Sequence, residues 1–177
     1  SVAADALNTL DGKTTVTVNV NSTTVTGNAA DMVTSFLAQG SSISGLDDAA
    51  ANINSGSATV AQVNTVSEVT SGTTTATISD GDMSTLNGIT GTGNALTITV
   101  TEASVAASDL NNLDAKTTVS INAGTITTLT GATEDLNTAY SAYAAGTISG
   151  LGNEAVTITD TTIDATLLIT LDAHTSG

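Results

Sequence analysis

The chain repeats itself at long range, and this repetition restricts the fold more than any other feature of the sequence. Residues 1–19 read SVAADALNTLDGKTTVTVN, residues 104–122 read SVAASDLNNLDAKTTVSIN, and 13 of the 19 positions are identical. Further along, SISGL at 42–46 matches TISGL at 147–151. Internal repeats of this kind are typical of proteins that stack similar structural units. The sequence therefore predicts two long repeats, residues 1–103 with four coils and residues 104–177 with three.

A shorter period lies inside each long repeat, where strand-like segments alternate with helix-like segments. The strand-like segments alternate apolar and polar residues and are rich in Thr, Val and Ile. They are TTVTVNV (14–20), TTATIS (74–79), ALTITV (95–100), TTVSIN (117–122) and AVTITD (155–160), with weaker candidates around Ile43, Ile53 and Ile148. The helix-like segments carry apolar residues three or four apart and begin near residues 3, 29, 60, 82, 106, 132 and 164. Asn28, Asp82 and Asp164 stand where N-capping side chains are expected.

This alternation predicts a repeat solenoid with parallel β-strands. One strand, one short helix and a return loop make one coil, and successive strands then lie side by side in the same direction. We expect an α/β solenoid with a strand plus a short helix in each coil. The alternative is a right-handed β-helix, in which the helix-like segments are additional strands. The absence of Pro agrees with either arrangement, because Pro would remove a hydrogen bond from a stacked strand.

Composition and charge exclude several classes of function. The chain has no Cys, so disulfides and Cys-based metal sites are excluded. Two Lys and no Arg stand against 17 acidic residues, which gives a net charge of −15 and argues against nucleic-acid binding. No apolar run is long enough for a membrane-spanning helix, so membrane insertion is not expected. A single His and three aromatic residues offer little for an enzyme, and none is predicted.

Three segments carry a family resemblance. The strings VAADALNTLDGKTTVTVN (2–19), TTLTGATEDLNTAY (127–140) and ISGLGNEAVTITD (148–160) resemble repeats of very large Thr/Ala/Gly-rich surface proteins. Such proteins occur in marine cyanobacteria and some green sulfur bacteria, and are thought to leave the cell by type I secretion. The resemblance implies an extracellular or cell-surface location and a structural or adhesive role. It supplies no catalytic residues.

The candidate metal ligands are aspartates at the ends of three helix-like segments. Asp11 and Asp114 end the repeated pattern LN-x-L-D, and Asp172 ends the related segment LITLD. A carboxylate at the negative end of a helix dipole is unfavourable, so these positions require an explanation. One interpretation is that each side chain caps the following turn. The other is a calcium site between coils, although one Asp per coil falls short of the six to eight oxygens that calcium takes. No cofactor is expected to be required, with calcium as the candidate cation.

The remaining candidate residues have predicted places in the core and on the surface. Phe36 and Tyr140 match between the repeats and are predicted to fill the core, whereas His174 matches nothing and is predicted on the surface. A Thr-rich strand face could present a grid of hydroxyl and methyl groups, as in ice-binding β-solenoids. Its candidates are Thr15/Thr17, Thr75/Thr77, Thr97/Thr99 and Thr157/Thr159.

These observations predict an extracellular structural repeat protein. It would form a rod, fibre or surface layer by coil stacking and by end-to-end self-association, because an open head-to-tail contact generates a filament. Its partners would be neighbouring copies or a surface glycan. The alternative function is an adhesin or an ice-binding module that presents the Thr-rich face.

Overall fold

The chain folds into an α/β structure in which short helices alternate with short, mostly parallel strands. The structure, a computed structural model, describes residues 1–175. Within them, seven helices span Ala4–Asp11 (α1), Ala29–Leu37 (α2), Val60–Ser67 (α3), Met83–Leu86 (α4), Ala107–Asp114 (α5), Thr133–Ala145 (α6) and Ala165–Asp172 (α7). The helix-like segments of the sequence are therefore helices, and each begins within one residue of its predicted start. The parallel α/β class is confirmed.

The strands are short, and every pairing whose register is defined is parallel. They span Val2–Ala3 (β1), Val18–Asn19 (β2), Thr24–Asn28 (β3), Ile43–Ser44 (β4), Ala50–Ser55 (β5), Thr74–Thr77 (β6), Ala95–Thr97 (β7), Ser104–Ala106 (β8), Ile121–Asn122 (β9), Thr128–Gly131 (β10), Ile148–Ser149 (β11) and Ala155–Ile158 (β12). Every helix is directly preceded by a strand or follows one after a short turn. We call each such strand and helix a strand–helix module.

Contacts between Cα atoms divide the chain into two compact units. The first comprises residues 1–79 and 89–96, and the second comprises residues 80–88 and 97–177. Strands β1, β3, β5, β6 and β7 form one sheet in that order, and β2 pairs with β4. In the second unit β12, β10 and β8 form a sheet in that order, and β9 pairs with β11. Neighbours in these sheets come from successive modules, as in the pairs Val2↔Val25 and Val25↔Ala51.

The predicted strand boundaries were wrong in two respects. The segments at 14–20 and 117–122 are strands only at Val18–Asn19 and Ile121–Asn122, so Thr15 and Thr17 lie in a loop. Strands β1, β3, β8 and β10 were missed, because each runs directly into a helix and is too short to show an alternating pattern. The weaker candidates around Ile43, Ile53 and Ile148 are confirmed as β4, β5 and β11.

Capping side chains start several of the helices. The side chains of Asn28, Asp82 and Asp164 accept hydrogen bonds from backbone N–H groups in the first turns of α2, α4 and α7, as predicted. At Asp82, hydrogen bonds from the side chains of Ser84 and Thr85 lower the pKa of the carboxyl group. Helix α6 ends at Gly146, which adopts the left-handed conformation with φ of +83°.

The core is a set of small aliphatic side chains with one large ring in each long repeat. The fourth residues of the first six helices lie in it, and all six side chains are buried: Leu7, Met32, Val63, Leu86, Leu110 and Leu136. Phe36 and Tyr140 are fully buried, which confirms their predicted place. No helix in residues 1–175 combines the length and apolar character needed to cross a membrane.

Candidate functional site

The most regular polar feature of the structure is a set of asparagines that join successive helices. The side-chain amides of Asn8, Asn111 and Asn137 donate to the backbone carbonyls of Asp31, Asp135 and Leu167, at 3.1, 3.0 and 3.0 Å. Each Asn is the fifth residue of its helix, and each carbonyl belongs to the third residue of the next helix. The same bond therefore links α1 to α2, α5 to α6 and α6 to α7.

The oxygen of these side-chain amides has a hydrogen-bond donor in the first long repeat and none in the second. In the first, the hydroxyl of Ser35 donates to Oδ1 of Asn8 at 2.7 Å and to the carbonyl of Ala4 at 3.2 Å. Ser35 is the seventh residue of α2. The seventh residues of α6 and α7 are Ala139 and Leu171, which have no hydroxyl, and Oδ1 of Asn111 and Asn137 is buried without a hydrogen-bond partner.

The sequence carries a signal for these asparagines, although it predicted a role for a different residue. The Leu-Asn pair occurs within helices at Leu7-Asn8, Leu110-Asn111 and Leu136-Asn137, and a fourth pair, Leu86-Asn87, lies at the end of the short helix α4. The Leu is buried in the core, which holds the neighbouring Asn on the side of the helix that faces the next module. The repeated LN-x-L-D pattern predicted a binding role for its terminal Asp instead.

Two of the predicted aspartates also bond to the next module. Asp11 Oδ2 accepts from the hydroxyl of Ser42 at 2.9 Å, and Asp114 Oδ2 accepts from the hydroxyl of Thr147 at 3.0 Å. Ser42 and Thr147 occupy equivalent positions, directly before β4 and β11. The hydrogen bond that this hydroxyl donates to the carboxylate offsets the unfavourable interaction of the carboxylate with the negative end of α1 or α5. Asp172, at the end of α7, is exposed.

The structure does not gather these carboxylates into a metal site. In the described part of the chain, no three His, Asp or Glu side chains are close enough together to hold a metal ion. Asp11, Asp114 and Asp172 lie on three different helices. A calcium site at these positions stays a prediction for the chelation experiment described below.

Acidic side chains from a following module also reach back to the start of an earlier helix. Glu102 Oε1 accepts from the backbone N–H of Met83 at 3.2 Å. Asp160 Oδ2 accepts from both the hydroxyl and the backbone N–H of Thr133, each at 2.6 Å. These bonds from Thr133 lower the pKa of Asp160. Negative charge at a helix N-terminus is favourable, so Glu102 and Asp160 stabilise the helices whose first residues they contact.

One buried cluster combines ionisable and aromatic side chains. The hydroxyl of Tyr140 donates to Oε2 of buried Glu154 at 3.0 Å, and Glu154 also accepts from the backbone N–H groups of Gly152 and Asn153. The His174 ring lies 6.1 Å from the Tyr140 ring, and its Nδ1 is buried without a hydrogen-bond partner. His174 was predicted on the surface, and the structure confirms this only in part: the residue is half-buried, with its ring beside that of Tyr140.

The Thr-rich strand face points outward, but its columns are interrupted. Thr75 and Thr77 are exposed on β6, and Thr157 is exposed on β12. In register, Thr26 pairs with Asn52, which pairs with Thr75, and Thr130 pairs with Thr157 on one side and with Ala106 on the other. Asn52 and Ala106 break what would otherwise be continuous Thr columns.

Comparisons of the chain with protein families, with curated proteins and with solved structures gave no significant match.

Proposed function

We propose that this chain is an extracellular structural repeat protein whose modules stack as an α/β solenoid and whose copies assemble end to end into a rod, fibre or surface layer. The observation that carries the proposal is the repetition of one bonding pattern. The amide of the fifth helical residue binds the carbonyl of the third residue of the next helix in α1, α5 and α6. A contact that recurs from module to module can be extended by adding further modules.

The charge and the core support a structural role over a catalytic one. A net charge of −15 keeps the surface hydrated and opposes random lateral association of copies. The core consists of small aliphatic side chains that pack between neighbouring modules. The resemblance to giant surface-protein repeats supports the extracellular or cell-surface location. We propose a non-enzymatic role without a required cofactor.

Negative-stain electron microscopy of the purified chain tests this proposal, with and without a calcium chelator. We expect rods or layers under both conditions, since the observed bonds between modules need no metal. Assemblies that dissolve on chelation, and that the triple variant Asp11→Asn, Asp114→Asn, Asp172→Asn fails to form, would make these aspartates calcium ligands. Compact monomers under both conditions would contradict the assembly function.

A second candidate is an adhesin or ice-binding module, which the exposed Thr75, Thr77 and Thr157 favour. It ranks below the structural role because Asn52 and Ala106 interrupt the Thr columns. Thermal hysteresis of the purified chain would support ice binding, and retention on a glycan array would support adhesion. Neither activity is expected if the structural role is correct.

A further inference from the structure

A polar cleft lies between the end of α4 and the adjoining face of α5, and we call it the α4–α5 cleft. Its volume is about 450 Å³, and it is lined by Asn87, Asp109, Asn112, Ala115 and Lys116. All five residues belong to the second compact unit, and both helices have helices before and after them in the chain. The volume lies in the range of sites that bind small molecules.

The cleft is present because α4 is short. Helix α4 has four residues, whereas the six other described helices have eight or more. At 1.5 Å per residue, α4 is about 6 Å long and a helix of eight residues is about 12 Å long. Helix α4 contacts α5, but the last turn of α5 extends past it. The space beside that last turn is the cleft.

The hydrogen bond that joins other pairs of helices is not formed at this junction. Asn87 stands directly after α4, in the fifth place counted from the start of the helix. At the fifth place of α1, α5 and α6, an asparagine donates to the carbonyl of the third residue of the next helix. The corresponding carbonyl here belongs to Asp109, but among the described residues the Asn87 side chain has no hydrogen-bond partner. Its amide is therefore free to bind a molecule in the cleft.

The α5 residues that line the cleft depart from the repeat. Residues 1–19 and 104–122 differ at six positions, and three of these, Asp109, Asn112 and Ala115, line the cleft. Asn112 is the sixth residue of α5, whereas the sixth residue of each other described helix of at least eight residues is Thr. Stacking of modules requires only the residue that recurs, so departures that gather at one cleft indicate a local role.

Two opposite charges line the cleft without pairing with each other. Asp109 supplies a carboxylate, and Lys116 is one of two lysines in a chain without Arg. Within the part of the chain that the structure describes, neither side chain forms an ion pair or a hydrogen bond. Their positions are about 10 Å apart along the helix axis, and Asn112 lies between them on the same side of α5. The cleft thus has a negative end, a positive end and amide groups between them.

We propose that the α4–α5 cleft binds a free α-amino acid as its zwitterion. The Lys116 ammonium group donates to the carboxylate of the ligand, and the Asp109 carboxylate accepts from the ammonium group of the ligand. The amides of Asn87 and Asn112 offer both donors and acceptors to these two groups. Ala115 adds only a methyl group, so the cleft has no wall for a large apolar ligand. This binding activity goes beyond the proposed structural role and does not depend on it.

Ligand-observed saturation-transfer NMR tests the proposal, and it works on assembled as well as monomeric chains. Glycine is the probe, because it carries both charges and no side chain. Acetate lacks the ammonium group, and methylamine lacks the carboxylate. Glycine should bind saturably, and each of the other two should bind about tenfold more weakly or less, because one charge-assisted contact is lost. Acetate or methylamine that binds as tightly as glycine would overturn the zwitterion assignment, and failure of glycine to bind would overturn the site.

Three variants locate the binding in this cleft. Lys116→Met removes the positive end, and Asp109→Ala restores the residue that α1 has at the same place, Ala6. Each should weaken glycine binding about tenfold or more. Lys13→Met is the matched control, because Lys13 is the counterpart of Lys116 in the first repeat and lies outside the cleft.

The control should bind glycine like the wild type, and all three variants should keep the wild-type circular dichroism spectrum, since none changes a buried residue. Equal losses of glycine affinity in Lys13→Met and Lys116→Met would overturn the assignment to the α4–α5 cleft. Rods or layers seen by electron microscopy should be the same in all variants, so a failure of this proposal leaves the proposed function standing.

Discussion

The buried hydroxyl of Tyr140 donates a hydrogen bond of 3.0 Å to Glu154, and the same two places in the first long repeat are held by Phe36 and Ala49. All four side chains are buried. One repeat thus fills this part of its core with an apolar ring and a methyl group, and the other fills it with a bonded polar pair. The two positions differ together between the repeats, because a buried Tyr hydroxyl or Glu carboxylate introduced alone would lack its hydrogen-bond partner.

The pair Tyr140→Phe and Glu154→Ala should therefore be strongly coupled. Tyr140→Phe leaves the Glu154 carboxylate buried with fewer donors, and Glu154→Ala leaves the Tyr140 hydroxyl without its acceptor. Each single variant is expected to lose about 1–3 kcal/mol of unfolding free energy. The double variant reproduces the Phe36 and Ala49 arrangement and should lose less than the sum. A double-mutant cycle by urea unfolding measures the coupling, and additive losses would contradict the role assigned to the bond.

Alkaline pH should destabilise the second compact unit through Tyr140. Burial, together with the hydrogen bond to Glu154 and its charge, raises the pKa of Tyr140 to about 12 from 10.0, although a bond with Thr175 acts in the opposite direction. The folded state thus favours the neutral phenol. The contribution of the neutral Tyr140 phenol to the free energy of unfolding is complete below pH 10 and is lost as the pH rises through 12.

Thermal melting between pH 9 and 12 tests this expectation. The melting temperature of the wild type should fall across the range, and Tyr140→Phe should show a smaller fall. Tyr143→Phe is the matched control, because Tyr143 is exposed on the same helix and should leave the pH dependence unchanged. If the melting temperatures of Tyr140→Phe and Tyr143→Phe fall equally across this pH range, the loss of stability at alkaline pH does not come from Tyr140.

Ala139→Ser should stabilise the chain, which is unusual for a substitution in a core. Ala139 is the counterpart of Ser35, whose hydroxyl bonds to Asn8, and Oδ1 of Asn111, the counterpart of Asn8, is buried without a hydrogen-bond partner. A hydroxyl here supplies the missing donor, for an expected gain of about 0.5–1.5 kcal/mol.

The reverse substitution in the first repeat is the control for that experiment. Ser35→Ala removes the donor to Asn8 and should cost about 1–3 kcal/mol. Urea-unfolding midpoints compare both variants with the wild type. A loss of stability in Ala139→Ser as well as in Ser35→Ala would indicate that the hydroxyl at this position acts through packing and not through the amide.

The sequence was sufficient to predict the helices, because their apolar residues recur three or four apart and capping residues such as Asn28, Asp82 and Asp164 mark their starts. It was insufficient for strands of two to five residues such as β1 and β3, which are too short to show a period of two. Their pairing depends on neighbours about 23 to 26 positions away, as in Val2↔Val25 and Val25↔Ala51. Such contacts leave no local pattern.

The candidate site was predictable only in part, for a related reason. Repetition pointed to the LN-x-L-D pattern, but it could not say which polar residue faces the next module. Asn8 and Asn111 bind a backbone carbonyl, which has no sequence signature, and Asp11 and Asp114 bind Ser42 and Thr147, more than 30 residues away. The pairing of fifth and seventh helical positions is visible only once the helices are placed side by side.

The equivalent leucines of the two repeats should lose very different amounts of stability on the same substitution. Leu113→Asp places a charge at a position that is 1% exposed, on a helix that contacts α4, and it should cost more than about 3 kcal/mol of unfolding free energy. Leu10→Asp changes the matching residue at a position that is 52% exposed, and the isolated chain should lose less than about 1 kcal/mol. Urea unfolding at a concentration too low for assembly compares the two. Similar losses would mean that Leu10 is covered in the isolated chain.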